Sequence, residues 1–143
     1  FCDFVVAEET ASFAQPEIKL GCFPPIAMVT FPALAGPRAA LDLILTGRTI
    51  KAPEACAMGL VSRVAPAGKL AETVDQLLAE LKALSPAALR ITRNGLRQRI
   101  GGDFDSQLAA MERIYLEELM KTSDAQEGIQ AFIEKRAPVW RGR

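Results

Sequence analysis

Glu17 is the residue of this sequence whose type and surroundings best suit acid–base chemistry. It lies in the run Gln15-Pro16-Glu17-Ile18-Lys19-Leu20-Gly21, which reads as a loop fixed by its proline and ended by its glycine. Apolar neighbours tend to raise the pKa of a carboxyl group, which suits proton transfer near neutral pH. The alternative is an exposed loop carboxylate paired with Lys19, and spacing alone favours that alternative.

The composition excludes several other chemistries. The 143 residues contain no histidine and no CxxC pair, which rules out a Cys/His zinc site and a His-based triad. We interpret the cysteines, at positions 2, 22 and 56, as reduced thiols of a cytoplasmic protein. Basic and acidic residues both number 17. The chain therefore lacks the excess of positive charge that would indicate binding to nucleic acid or to an anionic membrane surface. Without histidine or a CxxC pair we expect no metal. We also expect no membrane span, because Pro and Gly interrupt every long apolar stretch.

The first part of the chain predicts a mixed α/β structure. We expect a buried strand at residues 4–7, an extended piece at 11–14, a buried helix at 26–34, a second helix from 37 to a stop at Gly47, a short helix at 52–59 and a strand at 60–64. The chain enters its first strand without Met or a polar lead-in, and natural termini are rarely so apolar. We therefore expect further sequence upstream of Phe1.

Residues 67–143 predict four amphipathic helices, because apolar residues recur at spacings of three and four. Ser85-Pro86 predicts the start of the second helix, Gly101-Gly102 predicts its end, and Ser123 with Gln126 predicts a capping box for the last. These helices could pack on one another or on a partner surface. A basic stripe on the second helix is either solvated or an interface, and consists of Arg90, Arg93, Arg97 and Arg99.

Four short motifs follow one another along nearly the whole chain. They are Cys2-Asp3, the F-x-x-P-E-x-x-x-G run from Phe13 to Gly21, the L-T-G…A-x-E-A…G-L-V-x-x-V run from Leu45 to Val64, and the E-G-x-x-A-F-x-E-K-R run from Glu127 to Arg136. Each motif is weak alone. In this order they resemble the crotonase (enoyl-CoA hydratase/isomerase) family.

The resemblance implies an α/β fold, a spiral of ββα units followed by a helical region. Residues 1–66 would then be the C-terminal part of an acyl-CoA-binding core, and residues 67–143 an oligomerisation region. It also implies an acyl-CoA substrate, no cofactor beyond the coenzyme A that the substrate carries, and assembly into a homotrimer or a hexamer.

The resemblance also assigns residues to roles. Glu17 matches the later of two glutamates that hold a water molecule in the family's hydratases, while the earlier one and two oxyanion N–H donors would lie upstream of Phe1. Lys135 matches a lysine that reaches the CoA phosphates, and Phe132 a position near the adenine. The alternatives are a solvated Lys135 paired with Glu134 or Glu127, and a core position for Phe132.

The residues after Glu17 bear on the substrate. Common hydratases carry a glycine-rich turn there, whereas this chain has Cys22-Phe23-Pro24-Pro25-Ile26-Ala27-Met28, and we expect Phe23, Pro25 and Ile26 to line an acyl pocket. Pro25 stands where the family's isomerases often carry an acid. The run resembles the cyclohexa-1,5-diene-1-carbonyl-CoA hydratases. The alternatives are a straight-chain enoyl-CoA hydratase and a non-catalytic crotonase-like subunit or truncated product.

Overall fold

The computed structural model describes residues 2–100 and 103–142, and the side chains of residues 97–100 lie outside the description. The chain folds into two compact units. The first contains Phe1–Phe13 and Ile50–Asp103, and the second contains Ala14–Thr49 and Phe104–Arg143. The boundary predicted after residue 66 stays a prediction. The predicted helix stop at Gly101-Gly102 and the side chains of Arg97 and Arg99 lie outside the described residues.

The first unit contains two small sheets. Strand β1 (Val6–Glu8) pairs in parallel with β4 (Arg63–Ala65), with Ala7 opposite Val64. Strand β2 (Ser12–Phe13) pairs antiparallel with β3 (Ile50–Lys51), which leads directly into helix α2 (Ala52–Ala57). Small and β-branched side chains fill the interior of this unit; they are Ala7, Ile50, Ala52, Ala55, Val61 and Ala65.

Two helices complete the first unit. Helix α3 (Leu70–Lys82) packs against β1 and buries Leu77. Helix α4 (Pro86–Ile100) begins where the sequence predicted, because the Ser85 hydroxyl accepts a hydrogen bond from the N–H of Ala88 at 3.4 Å.

The second unit is helical. A 3₁₀ helix (Pro16–Leu20) precedes α1 (Pro25–Thr46), and α5 (Phe104–Glu117) packs against α1. A second 3₁₀ helix (Leu119–Lys121) leads into α6 (Ser123–Glu134), which packs against both 3₁₀ helices. The four helices predicted for residues 67–143 are therefore confirmed as α3, α4, α5 and α6.

Helix α1 joins the two helices that the sequence predicted. It starts at Pro25 and ends at Gly47, and Gly36 interrupts it with non-helical angles (φ 81°, ψ 160°) immediately before Pro37. Within the described chain it is the one helix long and apolar enough to cross a membrane, with 22 residues and a mean hydropathy of 1.3. Pro32, Gly36 and Pro37 interrupt it as the sequence predicted, and the absence of a membrane span stays a prediction. Length and composition are weak indications of a membrane span, because core helices and signal sequences share them.

Other predictions of burial and capping are wrong in detail. Phe4 and Val5 are 47% and 39% exposed, so their predicted burial is wrong, and the strand itself begins at Val6. In the predicted buried helix at 26–34, Ala27 is buried but Ile26 and Leu34 are 58% and 49% exposed, so the prediction holds for only part of that helix. The N-cap of α6 is Thr122, one residue earlier than predicted, because its hydroxyl accepts the N–H of Ala125 at 3.1 Å.

Candidate active site

Glu17 occupies the first turn of the 3₁₀ helix, where Pro16 starts the helix. The N–H of Cys22 donates to the Glu17 carbonyl oxygen, and the N–H of Gly21 donates to the Ile18 carbonyl oxygen, both at 3.1 Å. Gly21 ends the turn in the left-handed region (φ 71°), which glycine adopts without strain. The predicted loop is therefore a short helix, and local hydrogen bonds fix the backbone of its glutamate.

Helix α6 holds this 3₁₀ helix from one side. A Cβ atom at Gly128 of α6 would lie 2.1 Å from the carbonyl oxygen of Leu20, so only glycine allows the observed approach. A Cβ atom at Gly21 would lie 2.9 Å from the carbonyl oxygen of Asp124. The E-G motif near the end of the chain therefore supports the segment that carries Glu17.

The Glu17 side chain borders an open cavity of about 310 Å³. The cavity is lined by Gln15, Glu17, Pro24, Pro25, Ile26, Ala27, Thr30 and Phe31. Its α1 residues recur at helical spacing and form one face of that helix. Most of the lining is apolar, and the Thr30 hydroxyl already donates to the carbonyl oxygen of Ile26 at 2.9 Å. The cavity is therefore suited to a largely apolar ligand that meets one carboxylate.

One oxygen of that carboxylate is buried without a partner. Glu17 Oε2 has no hydrogen-bond partner among the described residues. An unpaired buried acceptor costs free energy, so its presence in a folded protein calls for an explanation such as a catalytic role. Because Glu17 lines the apolar cavity, its carboxylate could accept a hydrogen bond from water or exchange a proton with a molecule bound there.

Phe23, which follows the turn that carries Glu17, packs against α5. The ring of Phe23 meets the ring of Tyr115 edge to face, with centroids 5.3 Å apart and an interplanar angle of 87°. The pKa of Tyr115 is raised, first by its hydrogen bond with the Cys22 thiol, then by burial, and also by the negative charge of Glu17. The Tyr115 side chain therefore lies near both Cys22 and Glu17.

The structure brings three of the six predicted site residues together. Glu17, Pro25 and Ile26 line the cavity. Phe23 does not line it, since its ring packs on Tyr115. The proposed roles of these residues in binding and catalysis stay predictions.

Phe132 and Lys135 lie elsewhere in the second unit, towards the end of α6. Phe132 is 67% exposed, which contradicts the alternative of a core position. Lys135 is the C-cap of α6 and has a positive φ of 55°. Glu127 and Glu134, the suggested partners of Lys135, both pair with Arg136 instead. The exposed ammonium group is thus accessible to a ligand, but its contact with CoA stays a prediction.

Six residues near the site were not predicted. Pro24 and Ala27 lie next to the predicted Pro25 and Ile26, and the others are Gln15, Thr30, Phe31 and Tyr115. Gln15 lies two residues before Glu17, and Thr30 and Phe31 follow Ile26 and Ala27 by one helical turn, so helix periodicity could have found the latter two. Tyr115 is far from Glu17 in the sequence and belongs to none of the motifs. Among the described residues, no group of three or more His, Cys, Asp or Glu side chains could hold a metal ion, and the expectation of a metal-free site stays a prediction.

Small sheets, a helical second unit and a carboxylate at an apolar cavity fit the α/β fold and the acid–base site that the motifs predicted. The sequence profile described as enoyl-CoA hydratase/isomerase matches residues 1–143. The chain therefore belongs to the enoyl-CoA hydratase/isomerase family, and the predicted family is confirmed.

Named relatives and solved structures agree with this assignment. A protein of Thermus thermophilus assigned as an enoyl-CoA hydratase is 40% identical over 96% of this chain and 54% of its own length. The cyclohexa-1,5-dienecarbonyl-CoA hydratase of Thauera aromatica is 38% identical over 99% of this chain and 54% of its own. A crystal structure of an enoyl-CoA hydratase from Mycobacterium avium superimposes with a TM-score of 0.85 at 31% identity, over 98% of this chain and 55% of that one. The predicted α/β crotonase-like fold is confirmed, and the chain spans about half the length of these relatives.

Proposed function

We propose that Glu17 is an acid–base catalyst in the hydration of an α,β-unsaturated acyl-CoA. The observation that carries the proposal is the buried, unpaired Oε2 atom of Glu17, a residue that lines an apolar cavity. An acyl chain fits apolar walls, and the carboxylate is the one acidic group among the lining residues. Family membership and the names of the relatives support the same chemistry.

In the proposed reaction, Glu17 hydrogen-bonds a water molecule beside the double bond. As the water oxygen bonds to the β-carbon, Glu17 takes one of the water protons and the π electrons move onto the thioester as an enolate. The protonated Glu17 then gives that proton to the α-carbon, which returns the carboxylate to its starting state. The product is a hydroxyacyl-CoA, and no oxidant, reductant or metal enters the balance. The family resemblance assigns the enolate oxygen to two backbone N–H donors, and it assigns the water molecule to Glu17 together with a second glutamate. The two donors and the second glutamate lie outside the motifs of this chain.

A narrower proposal concerns the acyl group, for which we favour cyclohexa-1,5-diene-1-carbonyl-CoA. Pro24 and Pro25 stiffen the start of α1, and Ile26 and Phe31 add apolar surface to the cavity that a flat ring could cover. The similarity to the Thauera aromatica enzyme supports this substrate. The comparable similarity to the Thermus thermophilus protein supports the second candidate, a straight-chain enoyl-CoA.

The test compares kcat/KM of the full-length enzyme for the cyclohexadiene thioester and for crotonyl-CoA at one pH. Packing against single apolar groups discriminates by roughly 10- to 200-fold, so we expect a preference of that order for the ring. Equal values, or a preference for crotonyl-CoA, would favour the straight-chain candidate. No hydration of either thioester would favour a non-catalytic subunit that only assembles. Native mass measurement would test the proposed homotrimer or hexamer separately.

A further inference from the structure

The segment between Glu17 and α1 connects the candidate catalytic residue to one wall of the cavity. Cys22 is buried, and its thiol donates to the carbonyl oxygen of Leu20 at 3.6 Å. Phe23 follows directly, and Pro24 then leads into α1. Any shift of these residues would move Glu17 and the cavity wall relative to each other, because Glu17 lies on one side of the segment and α1 on the other.

Tyr115 contacts this segment from α5 at two successive residues. Its ring packs edge to face on the ring of Phe23, with centroids 5.3 Å apart, and its phenol group lies close enough to the Cys22 thiol for that thiol to raise the pKa of Tyr115. Helix α5 also packs along α1, which forms one wall of the cavity. One side chain thus couples the segment after Glu17 to the helix that packs behind the cavity wall.

We propose that Tyr115 is a positioning residue that, through its contacts with Cys22 and Phe23, keeps Glu17 in its correct position relative to the acyl cavity. The proposal rests on the proposed role of Glu17. Tyr115 does not itself line the cavity, so it acts through the two residues it contacts and not on the substrate. Small displacements of a catalytic group lower the reaction rate strongly, since catalysis depends on the geometry of the reacting atoms.

The test is a double-mutant cycle in the full-length enzyme between Tyr115→Leu and Glu17→Gln. Tyr115→Leu removes both the ring contact and the hydroxyl group. We expect it to lower kcat by roughly 10- to 100-fold while KM changes little, because the substrate contacts stay in place. In the Glu17→Gln enzyme the same change should have almost no further effect on the residual rate, because the group that Tyr115 positions is already inactive.

A purely structural role predicts a different result. If Tyr115→Leu lowers the rate by the same factor in both backgrounds, or leaves kcat unchanged in the parent enzyme, the proposal is overturned. Should Tyr115→Leu fail to fold, Tyr115→Phe carries the same cycle, since it keeps the ring and loses only the hydroxyl group. It should lower kcat by roughly threefold to tenfold, again only when Glu17 is present.

A control variant and the two single variants distinguish the proposed function of Glu17 from the proposed positioning role of Tyr115. Glu112→Gln changes an exposed side chain on the same helix and should leave kcat and the melting temperature at parent values. If Glu17→Gln alone retains parent activity, the proposed function fails. If Glu17→Gln is inactive and Tyr115→Leu is fully active, only the positioning role of Tyr115 fails.

Discussion

The carbonyl oxygen of Leu20 lies so close to Gly128 that a Cβ atom at residue 128 would be only 2.1 Å from it. On another side, the same Cβ atom would lie 3.0 Å from Cη2 of Trp140. The glycine of the C-terminal motif is therefore enclosed between the turn that carries Glu17 and the tail of the chain. This contact explains in physical terms why two distant motifs belong to one site.

We expect Gly128→Ala to destabilise the protein and to displace the turn that carries Glu17. Overpacking typically costs about 1–3 kcal/mol, and here the obstacle is backbone that cannot rotate away. Both the free energy of unfolding, measured with urea, and kcat should fall.

Gly95 provides a matched control, because it also lies inside a helix but a Cβ atom added there would meet no neighbouring atom within 4 Å. Gly95→Ala should raise the free energy of unfolding by about 1 kcal/mol through helix propensity alone. Equal effects of the two substitutions would show that the Leu20–Gly128 contact does not constrain the fold.

The hydrogen bonds that Glu127 accepts near the end of the chain predict that the stability of the fold depends on pH. Hydrogen bonds from Arg136 and from the N–H of Val139 lower the pKa of Glu127 from 4.5 to about 2. A carboxyl group whose pKa is lower in the folded state stabilises the fold above its unfolded pKa. That contribution is lost as the pH falls from about 4.5 through about 2.

Urea midpoints of the parent and of Glu127→Gln, measured across this range, check the assignment. The parent should lose more stability than the variant as the pH falls, because glutamine cannot be protonated. Parallel curves would mean that Glu127 does not contribute to the acid sensitivity.

The sequence predicted where α1 begins and ends better than it predicted which of its residues are exposed. Pro25 and Gly47 act on the local backbone, so the start and the end of α1 followed from residue type. The exposure of Ile26 did not follow, because it depends on which other surface covers the helix. The same distinction between local sequence and packing holds for the candidate site. Glu17 was recognisable from its motif, whereas the contact between Tyr115 and Phe23 depends on how α5 packs on α1.

Lys135→Ala should raise KM for acyl-CoA more than it lowers kcat. The proposed phosphate contact lies far from the reacting carbons, so it stabilises ground and transition states alike. Alanine also retains a Cβ atom, which leaves the backbone cost of the positive φ at this position nearly unchanged.

The contrast that isolates the phosphates is a CoA thioester against the matching pantetheine thioester. KM should rise for the first substrate only, and Lys135→Arg should restore most of the affinity because it keeps the charge. An equal loss with both substrates would show that Lys135 does not contact the phosphates.

The central claim is that Glu17 transfers protons during hydration, and Glu17→Gln in the full-length enzyme tests it most directly. The amide keeps the shape of the side chain but cannot exchange a proton, so kcat should fall by about 10²- to 10⁴-fold while the Kd for acyl-CoA stays within a few-fold of the parent value. Glu72→Gln, a substitution of an exposed carboxylate that pairs with Lys69, is the matched control and should retain parent kcat. A Glu17→Gln enzyme with kcat within a few-fold of the parent would contradict the claim.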